Sequence, residues 1–192
     1  MKMIYIVLGI LIVGGLAYYL STSSNSIEEK QQIKVDPKNN PYYELRNMAL
    51  GVTEEQLQLK LSEDKTEIYG VVMDWDIGEG TATLVSFITG DASLYLSSGG
   101  GFIGGIGHDN VTKAINSFIK KSESYLDRAS ITETTSLPDK NGLTFYFLTN
   151  IGKFKATDQM QNIESEKSQW LDLFYEANKL ITELRIVSEE LN

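Results

Sequence analysis

The sequence predicts one α+β domain in which helices cover a mostly antiparallel sheet. Short runs rich in β-branched and aromatic residues, each ended by glycine or aspartate, indicate strands joined by tight turns. Elsewhere apolar residues recur every three or four positions, which indicates amphipathic helices. The order is helices, three strands, a helix, two strands and a helix, so we expect a five-stranded sheet with helices on its faces.

The domain is expected to span residues 41–192 and to begin with two helices. Pro41 suits the first turn of a helix. Apolar residues then recur at helical spacing before a glycine that suits the helix end: Tyr42, Leu45, Met48, Ala49 and Gly51. Thr53 and Gln56 form a capping-box pattern, which predicts a second, short helix as far as Leu61.

Three strands, a helix, a hairpin and a long helix follow. The strands at 67–77, 81–89 and 92–98 are separated by GEG and GD turns and predict a meander. The next helix has an apolar face formed by Val111, Ala114, Ile115, Phe118, Ile119, Tyr125 and Leu126. Residues 143–149 and 152–156 predict a hairpin. The last helix has an apolar face formed by Trp170, Leu173, Phe174, Ala177, Leu180, Ile181, Leu184 and Val187.

Residues 3–20 form an uncharged apolar run, MIYIVLGILIVGGLAYYL. As a helix this run of about eighteen residues would extend roughly 27 Å, close to the hydrocarbon thickness of a bilayer. It ends in two tyrosines and a leucine, which are too large for a signal-peptide cleavage site. We therefore expect residues 1–20 to be an uncleaved single-pass transmembrane anchor, followed by a polar tether at 21–40.

Charges beside the apolar run give opposing indications of its orientation. Lys2 adjoins the run and favours an exported domain. Lys30, Lys34 and Lys38 are more numerous but lie farther from the run, and they favour the opposite orientation. The nearer charge leads us to expect the folded domain on the extracytoplasmic side.

The composition excludes several classes of function. With 17 basic and 26 acidic residues, the chain has a net charge of −9 and a pI of about 4.7, so it should repel nucleic acid. The absence of cysteine excludes disulfides, thiolate catalysis and cysteine-ligated zinc. His108 is the one histidine, so a histidine-rich metal site is not expected. A Ser-His-Asp triad is not expected either, unless His108 is its histidine. No cofactor is expected.

A glycine-rich segment, GGGFIGGIGHDN, lies between the third predicted strand and a helix. Its first glycines match GxGxxG, a pattern that places a phosphate at a helix N-terminus. A dinucleotide fold needs that pattern in a parallel βαβ unit, whereas the preceding strand here ends an antiparallel meander. The alternative is a connection that only glycine can adopt. If the segment binds a ligand, the candidate residues are Gly99, Gly101, Gly104, Gly105, Gly107, His108 and Asp109.

Other residues of this segment have structural interpretations. Asp109 suits the N-cap of the following helix, and His108 is expected on the surface beside it. The apolar residues Phe102, Ile103 and Ile106 are expected to pack against the sheet. If they are exposed instead, they would form a partner or membrane contact.

Three carboxylates in DWDIGEG form a second candidate site. Strand alternation places Asp74 and Asp76 on one face, with Glu79 in the turn. Such a group is able to hold a calcium ion or to serve as an acid–base pair. The EF-hand pattern is absent because Gly78 replaces its third ligand. The alternative is a solvated strand end, with Trp75 pointing into the core from the other face.

Three motifs resemble a group of small bacterial proteins of uncharacterised function. They are RNMAL at 46–50, GVVMDW at 70–75 and TGDASLYLSSGGG at 89–101. The resemblance extends over about 41–185 and implies one bacterial domain with a shared core. It implies no activity, cofactor or site residue.

These observations favour a membrane-tethered domain that binds another protein without catalysing a reaction. An inhibitor or immunity-type protein is one form of this function. The alternative is a domain or enzyme that binds a small molecule, nucleotide or anion through 99–107 and the following helix N-terminus. A third hypothesis is an envelope scaffold assembled through the apolar run or the last helix.

Overall fold

The computed structural model describes residues 40–103 and 107–190. Its helices are α1 Tyr42–Leu50, α2 Asp109–Glu123, α3 Met160–Glu164 and α4 Leu171–Glu190, with a 3₁₀ turn at Leu126–Arg128. Its strands are β1 Ile68–Asp76, β2 Thr81–Phe87, β3 Ala92–Leu96, β4 Gly101–Ile103, β5 Ser130–Thr132, β6 Gly142–Thr149 and β7 Gly152–Gln159. The domain is therefore of the α+β class.

The strands form one seven-stranded sheet in the order β4-β3-β2-β1-β6-β7-β5, and every neighbouring pair is antiparallel. The prediction of five strands is therefore wrong. The additional strands, β4 and β5, have three residues each and lie at the two edges of the sheet. Runs this short show no periodicity, so the sequence pattern does not distinguish them from loops.

The prediction of a transmembrane helix is also wrong. No helix in the described ranges is both long enough and apolar enough to cross a bilayer, and this finding overturns the expected single-pass membrane localisation. The apolar run at 3–20, and the tether at 21–40 except for its last residue, lie outside the described residues.

The second predicted helix does not form, although its capping box does. The backbone N–H of Thr53 donates to Gln56 Oε1 at 2.9 Å, and the N–H of Gln56 donates to Thr53 Oγ1 at 3.4 Å. Gln58 then adopts a φ of 56°, in the left-handed region. A helix cannot continue through such a residue, so the segment consists of turns.

The helices α2 and α4 pack on one face of the sheet and form the main core with it. Phe145 and Phe147 on β6 point to this face and stack with ring centroids 6.3 Å apart. Trp75 on β1 contacts Phe174 on α4 edge to face, with centroids 5.4 Å apart, so it belongs to the core as predicted. The buried residues that α2 and α4 contribute are Val111, Ile115, Phe118, Ile119, Leu173, Phe174, Ala177, Leu180, Leu184 and Val187.

The helix α1 and the loop 133–141 cover the opposite face of the sheet. The apolar spacing of α1 predicts Met48 in the core, yet Met48 is exposed and Arg46 is buried. The helix is therefore rotated relative to the prediction. Its buried residues are Tyr42, Leu45, Arg46, Ala49 and Leu50.

Candidate functional site

The first glycines of the predicted ligand-binding segment form the turn between β3 and β4. Gly99 has a φ of 100°, and its N–H donates to the carbonyl of Leu96 at 2.9 Å. Gly101 has a φ of 151°, and a Cβ there would lie 2.1 Å from the carbonyl oxygen of Leu94. Only glycine therefore allows β4 to pair with β3. This requirement supports the conformational explanation of these glycines.

The rest of the segment leads into α2. Gly104, Gly105 and Ile106 lie outside the described residues, and Gly107 has a φ of 89°. His108 occupies the N-cap position without a side-chain capping bond. Asp109 is the first residue of the helix, so the prediction that it is the N-cap is wrong, although its charge still complements the helix dipole. Phe102 packs against the core and Ile103 is exposed.

The three candidate metal-binding carboxylates have different environments. Asp74 is completely buried, whereas Glu79 is exposed. Asp76 is partly exposed and accepts a hydrogen bond from the N–H of Gly78 at 2.7 Å. In residues 40–103 and 107–190, no group of three or more His, Asp or Glu side chains is arranged to hold a metal ion. The expectation of a solvated strand end is wrong for Asp74.

The Asp74 carboxylate forms a buried ion pair with Arg46. Arg46 Nε donates to both carboxylate oxygens at 3.1 and 3.0 Å, and one terminal nitrogen donates to Oδ2 at 2.6 Å. The exposed fractions of Arg46 and Asp74 are 4% and 0%. The same terminal nitrogen donates to the carbonyl of Thr135 at 2.8 Å, and the guanidinium lies 5.8 Å from the ring centroid of Tyr146. The pair therefore joins α1, β1, β6 and the loop 133–141.

A chain of hydroxyl groups extends this ion pair towards β2. Thr83 Oγ1 donates its hydrogen to Asp74 Oδ1 at 2.6 Å. Thr83 has no second hydrogen, so the hydroxyl of Tyr42, 2.8 Å away, must donate to Thr83. Burial raises the pKa of Tyr42 to about 12. Burial lowers the pKa of Arg46, but the hydrogen bond to Asp74 and the charge of that carboxylate together outweigh burial and raise the pKa.

A polar cavity of about 350 Å³ lies beside this network, between the loop 133–141 and the strands β6 and β7. Thr144 lines it and is the cross-strand partner of both Asp74 on β1 and Thr157 on β7. A row of polar residues thus crosses the sheet from the ion pair to the cavity. Lys155, two residues before Thr157 on the same face of β7, lines the cavity opposite Tyr146.

Hydrogen bonds fix the walls of the cavity. Lys155 Nζ donates to Ser136 Oγ at 3.2 Å and lies 5.8 Å from the centroid of the Tyr146 ring. The Tyr146 hydroxyl donates to the carbonyl of Ser136 at 2.5 Å. Gly142 lets the loop lie against β6, since a Cβ there would be 2.7 Å from the carbonyl oxygen of Asp139.

One carboxylate at the cavity is already satisfied by hydrogen bonds. Asp158 accepts hydrogen bonds from the hydroxyl of Ser168, from Asn162 Nδ2 at 2.6 Å and from the N–H of Gln159 at 2.8 Å. Burial raises the pKa of Asp158, but these hydrogen bonds outweigh burial and hold the pKa below its usual value. Asp158 therefore remains charged near neutral pH.

The far edge of the sheet carries an exposed apolar surface, which we call the β5 edge and define as Ser130–Thr132 with Ile151. The exposed fractions of Ile131 and Ile151 are 63% and 56%. Ile131 Cδ1 lies 3.9 Å from the position that a Cβ on Gly152 would occupy, so the two isoleucines border the same turn. Within the described ranges, no strand pairs with the outer side of β5.

Comparison with known proteins adds no function. No protein-family model, curated protein or solved structure matches the chain. The resemblance to small bacterial proteins stays a prediction.

Proposed function

We propose that this domain binds another protein without catalysing a reaction, and that it takes up an extended segment of that partner along the β5 edge. The observation that carries this proposal is the open side of β5 beside two exposed isoleucines. A strand with an unpaired edge is a template for an added strand, because its free N–H and carbonyl groups can continue the hydrogen-bond ladder. An inhibitor or immunity-type protein remains one form of this function.

The side chains at this edge support a specific contact. Natural sheet edges are commonly protected by short edge strands, charged residues or proline. β5 is short, with three residues, but its central residue is the apolar Ile131, with Ile151 beside it in the β6–β7 turn. Two isoleucines that are each more than half exposed would lose water contact under an added strand, which favours association.

The most deeply buried charged cluster supports binding without catalysis. Asp74 has no exposed surface, and its oxygens accept hydrogen bonds from Arg46 and Thr83. A carboxylate in this state cannot reach a substrate. Its hydrogen bonds instead suit a structural role.

Site-specific photo-crosslinking tests the proposal. A photo-reactive residue at position 131 should capture one partner of defined mass in cells, because that side chain lies at the contact. The same probe at position 175 is the matched control, since Tyr175 on α4 has a comparable exposed fraction of 48% but belongs to a different element.

The substitution Ile131→Asp should then reduce recovery of the captured partner by about tenfold or more, which corresponds to about 1.4 kcal/mol. Tyr175→Asp should leave that recovery unchanged. Equal recovery of the partner by Ile131→Asp and the unmodified chain would disprove binding along β5.

A further inference from the structure

We infer that the cavity between the loop 133–141 and the strands β6 and β7 is a binding site for a small monocarboxylate. This site adjoins the β5 edge, because Lys155 pairs with Ser130, but it does not depend on the proposed protein contact. Its volume of about 350 Å³ falls at the lower end of the range of small-molecule sites. The side chains that line it define the chemistry of the ligand.

Lys155 supplies the positive charge. Its ammonium group donates to Ser136 Oγ and faces the Tyr146 ring, so its position is fixed. In residues 40–103 and 107–190, no carboxylate forms an ion pair with Lys155. An ammonium with three hydrogens and one protein acceptor retains donors for a bound anion.

Thr144 supplies a buried hydroxyl. It is 1% exposed and lines the cavity, yet its hydroxyl makes no hydrogen bond with another described residue. That hydroxyl is not an unsatisfied atom sealed in the core, because no such atom occurs among the described residues. It therefore has access to the cavity, where Thr157 lies directly across from it.

The charges that line the cavity sum to −1 and disfavour a ligand with more than one negative charge. Lys155 is the one cationic residue among those that line the cavity, whereas Asp139 and Asp158 also line it. A phosphate dianion would be repelled by these two carboxylates, with a single cation to offset them. A carboxylate can accept hydrogen bonds from Lys155 and Thr144, and Asp139 is available to a second, positively charged group on the ligand.

Amide chemical shifts of the full chain provide the test, with propionate, L-lactate and L-alanine as probes and inorganic phosphate for comparison. We expect saturable shifts at Thr144, Lys155 and Thr157 with at least one carboxylate probe, at a Kd of about 1–10 mM. Stronger binding of L-alanine than of propionate would place its ammonium near Asp139.

Variants separate this site from nonspecific binding. Lys155→Met should weaken binding by about tenfold or more, while Lys155→Arg should retain it. Lys153→Met is the matched control, because Lys153 lies two residues earlier on the same face of β7 but does not line the cavity. Thr144→Val removes the hydroxyl at nearly constant volume and should weaken binding by about fivefold. The amide spectrum of each variant without ligand shows whether the variant is folded.

Two results would overturn the inference. One is the absence of saturable shifts with all three carboxylates at concentrations up to about 50 mM, well above the expected Kd. The other is equal carboxylate binding by Lys155→Met and the unmodified chain. Binding of phosphate alone, lost in Lys155→Met, would show that the cavity takes a different anion.

Discussion

The buried ion pair of Arg46 and Asp74 shows how one charged residue determines the position of a helix. Removing two charges from water is costly, and the cost is offset only when geometry and hydrogen bonding are nearly complete. Here the carboxylate receives three guanidinium contacts and one threonine hydroxyl. The pair therefore fixes α1 against β1, while α1 also packs through its apolar residues.

Removing one partner of this pair should strongly destabilise the fold. We expect Asp74→Ala to lower the free energy of unfolding by about 3–5 kcal/mol, because Arg46 would remain buried without its counter-ion. Asp127→Ala removes a carboxylate that is 83% exposed and should change stability little. Urea unfolding of the full chain measures both. Similar unfolding midpoints for the two variants would contradict a structural role for Asp74.

Tyr42 should contribute to loss of stability at alkaline pH. Its pKa is raised to about 12 in the folded domain, whereas an unfolded tyrosine titrates near 10. The stability that depends on protonated Tyr42 is therefore complete below about pH 10 and is lost as the pH rises towards 12. Unfolding free energies measured between these values should fall less steeply in Tyr42→Phe than in the unmodified chain.

The neighbouring Tyr43, which is 58% exposed, provides the control for that measurement. Tyr43→Phe should leave the pH dependence unchanged. Burial also raises the pKa of Tyr69, Tyr95 and Tyr146, so part of the alkaline loss should remain in Tyr42→Phe. If Tyr42→Phe and Tyr43→Phe gave the same pH profile, Tyr42 would not be the group responsible.

At the scale of single elements, the β3–β4 hairpin depends on one glycine. A Cβ at position 101 would overlap the carbonyl of Leu94 and require a positive φ, so we expect Gly101→Ala to cost about 3 kcal/mol or more. Gly100→Ala shares the positive φ but meets no atom within 4 Å, and should cost about 1 kcal/mol. Thermal unfolding compares the two variants, and equal losses would show that the close contact does not matter.

The elements that were predicted correctly are those with long, distinctive runs of residues. The meander of β1, β2 and β3 and the β6–β7 hairpin have runs rich in β-branched and aromatic residues, the helices α2 and α4 have helical apolar patterns, and all are present. The edge strands β4 and β5 are too short to show a period. The Thr53 capping box forms locally, but the left-handed Gln58 stops the helix. A capping box predicts where a helix can begin, but it does not predict whether the residues that follow continue the helix.

The candidate sites were harder to predict, because they depend on contacts between distant residues. Hydrophobic spacing assigns Arg46 to solvent, since a charge that is buried in a pair has no apolar signature. The predicted hairpin is sufficient to bring Lys155 near Tyr146. It does not predict that the loop 133–141 folds back over β6, and that contact is what encloses the cavity.

At the scale of the domain, the two faces of the sheet differ in polarity. The face under α2 and α4 is almost entirely apolar, and it supplies most of the stabilisation from burial. The face under α1 and the loop 133–141 contains the ion pair, the hydroxyl chain and the cavity. The apolar side thus contributes most of the burial and the polar side contains the cavity, while the β5 edge lies outside both layers.

This arrangement predicts a gradient of stability across the sheet, which hydrogen exchange of the full chain can measure. β1 and β6 are central, pair with a strand on each side and contribute to the core, so their amides should exchange only on global unfolding. β5 has three residues and one neighbour, so its amides should exchange faster. β7, which lies between β6 and β5, should exchange at an intermediate rate and serves as the internal control.

Exchange in β5 as slow as in β1 would mean that this edge is not accessible. If exchange in β5 is fast and becomes slow when the partner identified by crosslinking is added, the open edge is where that partner binds.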